Sequence, residues 1–225
     1  MTLEPPASPA DLPATVRLFP LGGAILLPRA VLPLNIFEPR YLAMVRDAMA
    51  SDQMIAMIQP RDTLARDSQA RDEAELPDLY AIGTTGRITQ YSETGDGRFL
   101  ISLTGLARFR LKAELPATTP YRQAEVDYGA HEADWAPADP LAAATRAHLE
   151  STLKSYLETQ GLSADWEAVK SADDESLINT LATVCPFSNA ERQALLEASG
   201  LPSRASTLTT LMQFASGEAG ESTLQ

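Results

Sequence analysis

Residues 16–60, VRLFPLGGAILLPRAVLPLNIFEPRYLAMVRDAMASDQMIAMIQP, constrain this chain more than any other stretch. Apolar runs of four or five residues alternate there with Pro and Gly. Such runs are too short for independent helices and suit strands bounded by turns. The pattern predicts a strand over 16–19, ended by Pro20, and a Pro-held extended loop over 24–33. A second strand follows over 34–37. Pro39 stands where a first-turn proline is tolerated, and Tyr41, Leu42, Val45, Ala48 and Met49 repeat at helical spacing, so a helix runs to about residue 50. Residues 54–58, MIAMI, are apolar throughout, as in a strand buried on both faces.

The rest of the first half is also β-rich. Residues 80–91 alternate with glycines that suggest a bend or bulge. ETGDG at 93–97 is a hairpin turn, with Asp-Gly supplying a positive-φ position. On the return strand Phe99, Ile101 and Leu103 share a face, and Gly105 is expected to break it before a resumption over 107–111. A last strand is expected over 123–128. About seven short strands with one helix favour a small barrel or rolled sheet over a parallel α/β fold. Residues 61–79, dense in charge, read as a long loop.

After Gly129 the periodicity becomes helical. Asp139-Pro140 predicts an N-cap and a proline at the first helical position, with Leu141, Thr145, Leu149, Leu153, Tyr156 and Leu157 as the stripe. A short helix is expected over 165–169 and another over 174–184. Ser188-Asn189-Ala190-Glu191 is a capping box that opens the next helix, and a last helix follows residue 202. The organisation expected is a leader over 1–15, a β domain over 16–128, a helical bundle over 129–216 and a disordered tail over 217–225.

Charge shifts at the same boundary. Residues 1–128 carry 13 basic and 16 acidic side chains, net −3, whereas residues 129–225 carry 5 and 14, net −9. The overall −12 argues against nucleic acid or an anionic membrane as partner, because both reward clustered Lys and Arg. The single cysteine, Cys185, excludes an intramolecular disulfide and suits a reducing compartment. No secretory signal and no apolar run of bilayer length is present, so a cytoplasmic location is expected. His131 and His148 are not at metal-ligand spacing, and neither a metal nor a cofactor is expected.

Three blocks in order resemble the N-terminal domain of Lon proteases. The first is LFPL at 18–21, LLP at 26–28 and LPLNIFEPRY at 32–41. The second is LY at 79–80 with Ile82, Gly83, Thr84, Gly86 and Ile88. The third is DGR at 96–98 with Gly105 and RFRL at 108–111. Together they span about residues 16–128. The resemblance implies an α+β chain: a PUA-like β pseudo-barrel with one inserted helix, followed by a C-terminal helical bundle. It implies a module that engages unfolded or client polypeptide, as an adaptor or modulator in protein quality control, with a separate full-length Lon protease as a further candidate partner. No G-x-x-x-x-G-K-[ST] phosphate loop occurs, and Lys112, Lys154 and Lys170 lie outside any context like the Ser–Lys site of the Lon peptidase. A non-enzymatic module is therefore expected, with no catalytic residue. A weak hydrolase with a cryptic site and an oligomerisation scaffold are the alternatives.

Candidate polypeptide-binding residues are Ile25, Leu26, Leu27, Val31, Phe37, Arg40 and Tyr41. Exposed apolar surface rimmed by polar groups often marks such a site. The bland reading is core for the apolar members, and for Glu38 and Arg40 a helix cap and an ion pair. Phe37 and Leu34 are expected to be buried, and part of 25–31 exposed.

Overall fold

The computed structural model describes residues 6, 8–61 and 77–217. Most of the expected loop over 61–79, part of the leader and all but the first residue of the tail lie outside those residues. The chain divides into two compact units, Met1–Ala136 and Pro137–Gln225. The division falls eight residues beyond the charge boundary, because a 3-10 segment, Gly129–Trp135, packs on the β unit rather than joining the helices.

Among the described residues six strands form the first unit: β1 (Thr15–Pro20), β2 (Val31–Ile36), β3 (Met54–Ile58), β4 (Ile82–Glu93), β5 (Phe99–Glu114) and β6 (Gln123–Asp127), with α1 (Pro39–Met49) between β2 and β3. Their order is β2-β5-β4-β3-β1-β6, and β5 also pairs with β6, which closes five of the strands into a ring. β5 makes this possible by its length. Its first half pairs with β2 over 99–104, and its second half pairs with β6 over 110–114. Among the described residues β2 pairs with β5 alone and is left as an edge strand.

Two expectations are corrected here. Gly105 does not break the strand. It sits inside the 16-residue β5, paired with Gly86 of β4 next to a register shift, so the predicted break and resumption are one element and six strands replace seven. The second strand starts at Val31 and includes Pro33. A proline is tolerated there because an edge strand has one side without a ladder partner.

β3 is buried on both faces. Ile55 and Met57 join a core under α1 with Phe19, Leu26, Ile36, Tyr41, Met44, Val45, Phe99, Ile101 and Leu103. Ala56 and Ile58 face a second cluster with Val16, Leu18, Phe109, Ala124 and Val126. The helix buries Tyr41, Met44, Val45 and Ala48, at i, i+3, i+4 and i+7, so one stripe of α1 covers one end of the sheet.

Five helices form the second unit: α2 (Ala143–Thr159), α3 (Trp166–Ser171), α4 (Asp174–Val184), α5 (Asn189–Glu197) and α6 (Leu201–Ser216). α2 starts three residues later than Asp139-Pro140 predicts. Leu141 is instead buried, and its N–H donates to Asp174 Oδ2 at 2.7 Å, which holds the chain extended before the helix begins. The capping box at Ser188 and Glu191 is formed. Buried Arg192 closes the C-terminus of α4 by donating to the carbonyls of Thr183 (3.0 Å) and Cys185 (2.9 Å), groups that a helix end leaves without partners. Among the described residues no helix is long and apolar enough to cross a membrane.

Candidate functional site

The loop between β1 and β2 and the strand that follows it carry the same kinds of side chain but place them oppositely. Ile25, Leu26 and Leu27 are buried. They lie over the Gly86–Gly105 pair, where the sheet surface has no side chains. A Cβ on Gly86 would stand 2.5 Å from Leu26 Cδ2, and one on Gly105 would stand 2.1 Å from the Leu27 carbonyl oxygen. The loop also joins the ladder: Arg29 N donates to Gly105 O (2.8 Å) and Gly105 N to Ala30 O (2.9 Å). These three candidates are therefore core.

From the opposite side the loop end is clasped by the 3-10 segment. Arg29 Nη1 donates to the Asp134 carbonyl. Asp134 itself pairs with Arg108 on β5: Oδ2 accepts from the Arg108 backbone N–H (2.9 Å) and Nε (2.8 Å), and Oδ1 accepts from Nη2 (2.7 Å). Both side chains are buried. Burial alone would raise the Asp134 carboxyl, but the hydrogen bonds and charge of Arg108 hold it below its usual range. His131, half-buried beside the pair, is held below its ordinary pKa by burial first and by Arg108 second.

β2 and the hairpin after it carry the exposed apolar residues. Val31 and Phe37 are each 60% exposed, Leu100 47% and Tyr91 41%. Strand parity explains most of this. Leu32, Leu34 and Ile36 pair with Leu103, Ile101 and Phe99 on the inner face, while Val31, Pro33 and Asn35 pair with Thr104, Ser102 and Leu100 on the outer face. Phe37 continues the outer row at the strand end, with the Arg98 guanidinium 5.8 Å from its ring centroid. A shallow groove of about 430 Å³ lies at this end of the sheet, lined by outer-face Pro33, Asn35, Leu100 and Ser102 and by Leu34 and Tyr91 of the other face. Its polar groups are partly paired with each other: Ser102 donates to Gln90 Oε1 at 2.9 Å.

Phe37 thus departs from the expectation of burial, and Leu34 is only half-buried. Ile36 takes an inner position with Leu34, because residues two apart on a strand share a face and Phe37 falls on the other one. Tyr41 is also core: it is buried, its ring lies 4.4 Å from that of Phe19, and burial foremost raises its phenol pKa. Arg40 is exposed. Its Nε donates to Glu38 Oε2 at 2.9 Å, and its guanidinium lies 4.6 Å from the Tyr41 ring centroid. Glu38 is the N-cap residue of α1 but makes no side-chain cap bond. Of the seven candidates, Val31, Phe37 and Arg40 remain on the surface.

Tyr91 and Leu100 were not among the candidates. Leu100 was within reach of the sequence: it stands between Phe99 and Ile101, so period-2 alternation puts it on the opposite face from both. Tyr91 carries no such signal. Its exposure comes from its place at the end of the sheet, against Phe99 at 5.2 Å between ring centroids. At the adjoining turn a Thr94 hydroxyl bond, foremost, holds the Asp96 carboxyl below its usual range, and Asp96 pairs with Arg98 at 3.0 Å.

Among the described residues no group of three or more His, Cys, Asp or Glu side chains is placed to hold a metal. Cys185 is buried, and burial pushes its thiol up to about 11, so it is a thiol rather than a thiolate at neutral pH.

A family model described as the ATP-dependent protease La (LON) substrate-binding domain matches residues 15–213. The chain is 34% identical to Lon protease 2 of Myxococcus xanthus over 120 residues, which is 52% of this chain and 13% of that protein. It is 26% identical to the Lon protease of Flavobacterium johnsoniae over 200 residues, 87% of this chain and 23% of that protein. The chain thus spans a quarter or less of these relatives. In fold it is similar to a Lon N-terminal domain protein from Xanthomonas campestris, with a TM-score of 0.61 at 22% identity, covering 87% of this chain and 97% of that one. It is also similar to the N-terminal domain of Mycobacterium avium complex Lon protease, with a TM-score of 0.58 at 17% identity, covering 91% and 98%.

Proposed function

Because this chain belongs to the LON substrate-binding domain family, we propose that it binds unfolded or client polypeptide on the outer face of β2, β5 and β4. The observation that carries this reading is the row of exposed Val31, Phe37 and Leu100 beside an edge strand that, among the described residues, pairs on one side only. An extended peptide added to β2 satisfies its own backbone groups on that edge, and its apolar side chains find Phe37 and Leu100. Arg98 lies over the Phe37 ring and is itself paired with Asp96. We read the module as non-enzymatic, acting in the cytoplasm as an adaptor or modulator in protein quality control, with a separate full-length Lon protease as a candidate partner.

The test is fluorescence anisotropy of labelled, unfolded casein titrated with the full chain. Saturable binding is expected, weakened about tenfold in the double variant Phe37→Asp/Leu100→Asp. Absence of saturable binding, or an unchanged double variant, overturns the assignment.

A further inference from the structure

The helical unit holds a second concavity, of about 440 Å³, between α2, α3 and α4. Leu157, Leu162, Val169, Leu177, Leu181 and Val184 give it an apolar lining. Leu162 and Val184 are large apolar side chains left exposed there. Volume and composition fall in the range of built binding sites rather than of surface irregularities. One charged side chain lines the groove, Asp165. Its Oδ1 caps α3 by accepting from the N–H groups of Glu167 (3.0 Å) and Ala168 (3.1 Å). Its Oδ2 has no hydrogen-bond partner among the described residues. No basic residue lines the groove, and residues 137–225 carry 12 acidic and 5 basic side chains.

Backbone chemistry selects the shape of the occupant. Most of the lining comes from helices, whose backbone groups are already paired, and no strand borders the groove. An extended peptide in an apolar groove leaves its own N–H and C=O groups buried without partners, which disfavours it. A helix satisfies them internally and presents apolar side chains at i and i+4 on one face. Charge selects the flank, because an acidic unit with a single free carboxylate oxygen at the groove favours a cation and disfavours an acidic segment.

We infer that this groove docks a short amphipathic helix of a partner polypeptide, with leucine-type side chains at i and i+4 entering between α2 and α4 and a Lys or Arg meeting Asp165. The site is independent of polypeptide capture on the barrel.

The experiment titrates the full chain into a fluorescein-labelled Leu/Ala helical peptide of about four turns. One version bears a flanking Lys, and a second replaces that Lys with Gln. Wild type is expected to bind both, the Lys peptide more tightly. Asp165→Asn removes the charge and keeps the cap, since Asn caps as well as Asp. It is expected to erase the preference for Lys and leave the Gln peptide unaffected. Thr180→Trp, at an exposed position in the lining, fills the groove and is expected to weaken both peptides at least about tenfold. Circular dichroism checks that both variants keep their helices. The barrel variant Phe37→Asp/Leu100→Asp is expected to bind the helical peptide as wild type does, so failure at one surface is distinguishable from failure at the other. No saturable peptide binding, equal affinity in Thr180→Trp, or loss in the barrel variant instead overturns the inference.

Discussion

Ile25, Leu26 and Leu27 lie within a dozen residues of Val31 and Phe37 and are chemically alike, yet the first group is core and the second is surface. Local sequence does not separate them. The difference is made by what lies opposite. The loop meets a patch of sheet stripped of side chains by Gly86 and Gly105, which lets its backbone bond directly to β5. The start of β2 meets the ordinary surface of β5, where alternate residues must face outward. A buried apolar residue here requires a dent in its partner, not merely hydrophobicity of its own.

That contrast can be broken or sharpened experimentally. The largest effect is expected from Asp134→Ala. It leaves Arg108 buried without its carboxylate and loosens the segment that clasps Arg29, so about 3–5 kcal/mol of stability is expected to be lost in urea denaturation. Acid reaches the same pair. The folded pKa of Asp134 is depressed below the ordinary value of 3.8. Its contribution is therefore fully present above that value and is lost as pH falls from about 3.8 through the lower folded value. Asp134→Asn, which has no charge to lose, is expected to flatten that part of a stability–pH profile.

Next comes Gly105→Ala. The added methyl meets the Leu27 carbonyl, which is held by the Ala30 N–H (3.1 Å) in a loop bonded to β5, and a loss of about 2–4 kcal/mol is expected. Gly86→Ala meets the end of the Leu26 side chain instead, which can rotate away, and about 1 kcal/mol is expected. The ratio of the two, read from denaturation midpoints, tests whether the loop is held by backbone approach or by side-chain packing. Equal losses would refute the distinction.

On the other side of the comparison, Phe37→Ser and Leu100→Ser are expected to change stability by no more than about 0.5 kcal/mol while weakening polypeptide binding. A loss above about 2 kcal/mol would mean these residues belong to a core after all. Smallest of all is Arg40→Ala. Its ion pair with Glu38 is exposed at both ends, and a shift of less than about 0.5 kcal/mol is expected by thermal melting.

Much of the architecture was legible because it rests on local rules. β3 was read from an unbroken apolar run, α4 from its 3.6-residue stripe, α5 from its capping box, and the β4–β5 turn from Asp-Gly. The expected α+β order of a barrel followed by helices is the order found. Errors came where a local rule met a non-local partner. Pro33 argued against a strand, but β2 is an edge. Gly105 argued for a break, but the glycine admits a neighbouring loop. Asp139-Pro140 looked like a helix start, but Asp174 holds the preceding chain extended. The candidate site suffered most, since three of its seven residues lie in that loop and a fourth, Tyr41, lies on the buried stripe of α1.

Residues 16–60 by themselves determined the kinds of element, their sequence and the apolar character of the stretch, because propensity, proline geometry and periodicity act over a few residues. Only the tertiary structure decided which of those apolar side chains face solvent. That choice depends on strand register, and a one-residue shift in how β2 pairs with β5 exchanges its two faces. It was set by β5, whose glycine at 105 takes in the loop and whose residues 99–104 then turn Val31, Phe37 and Leu100 outward.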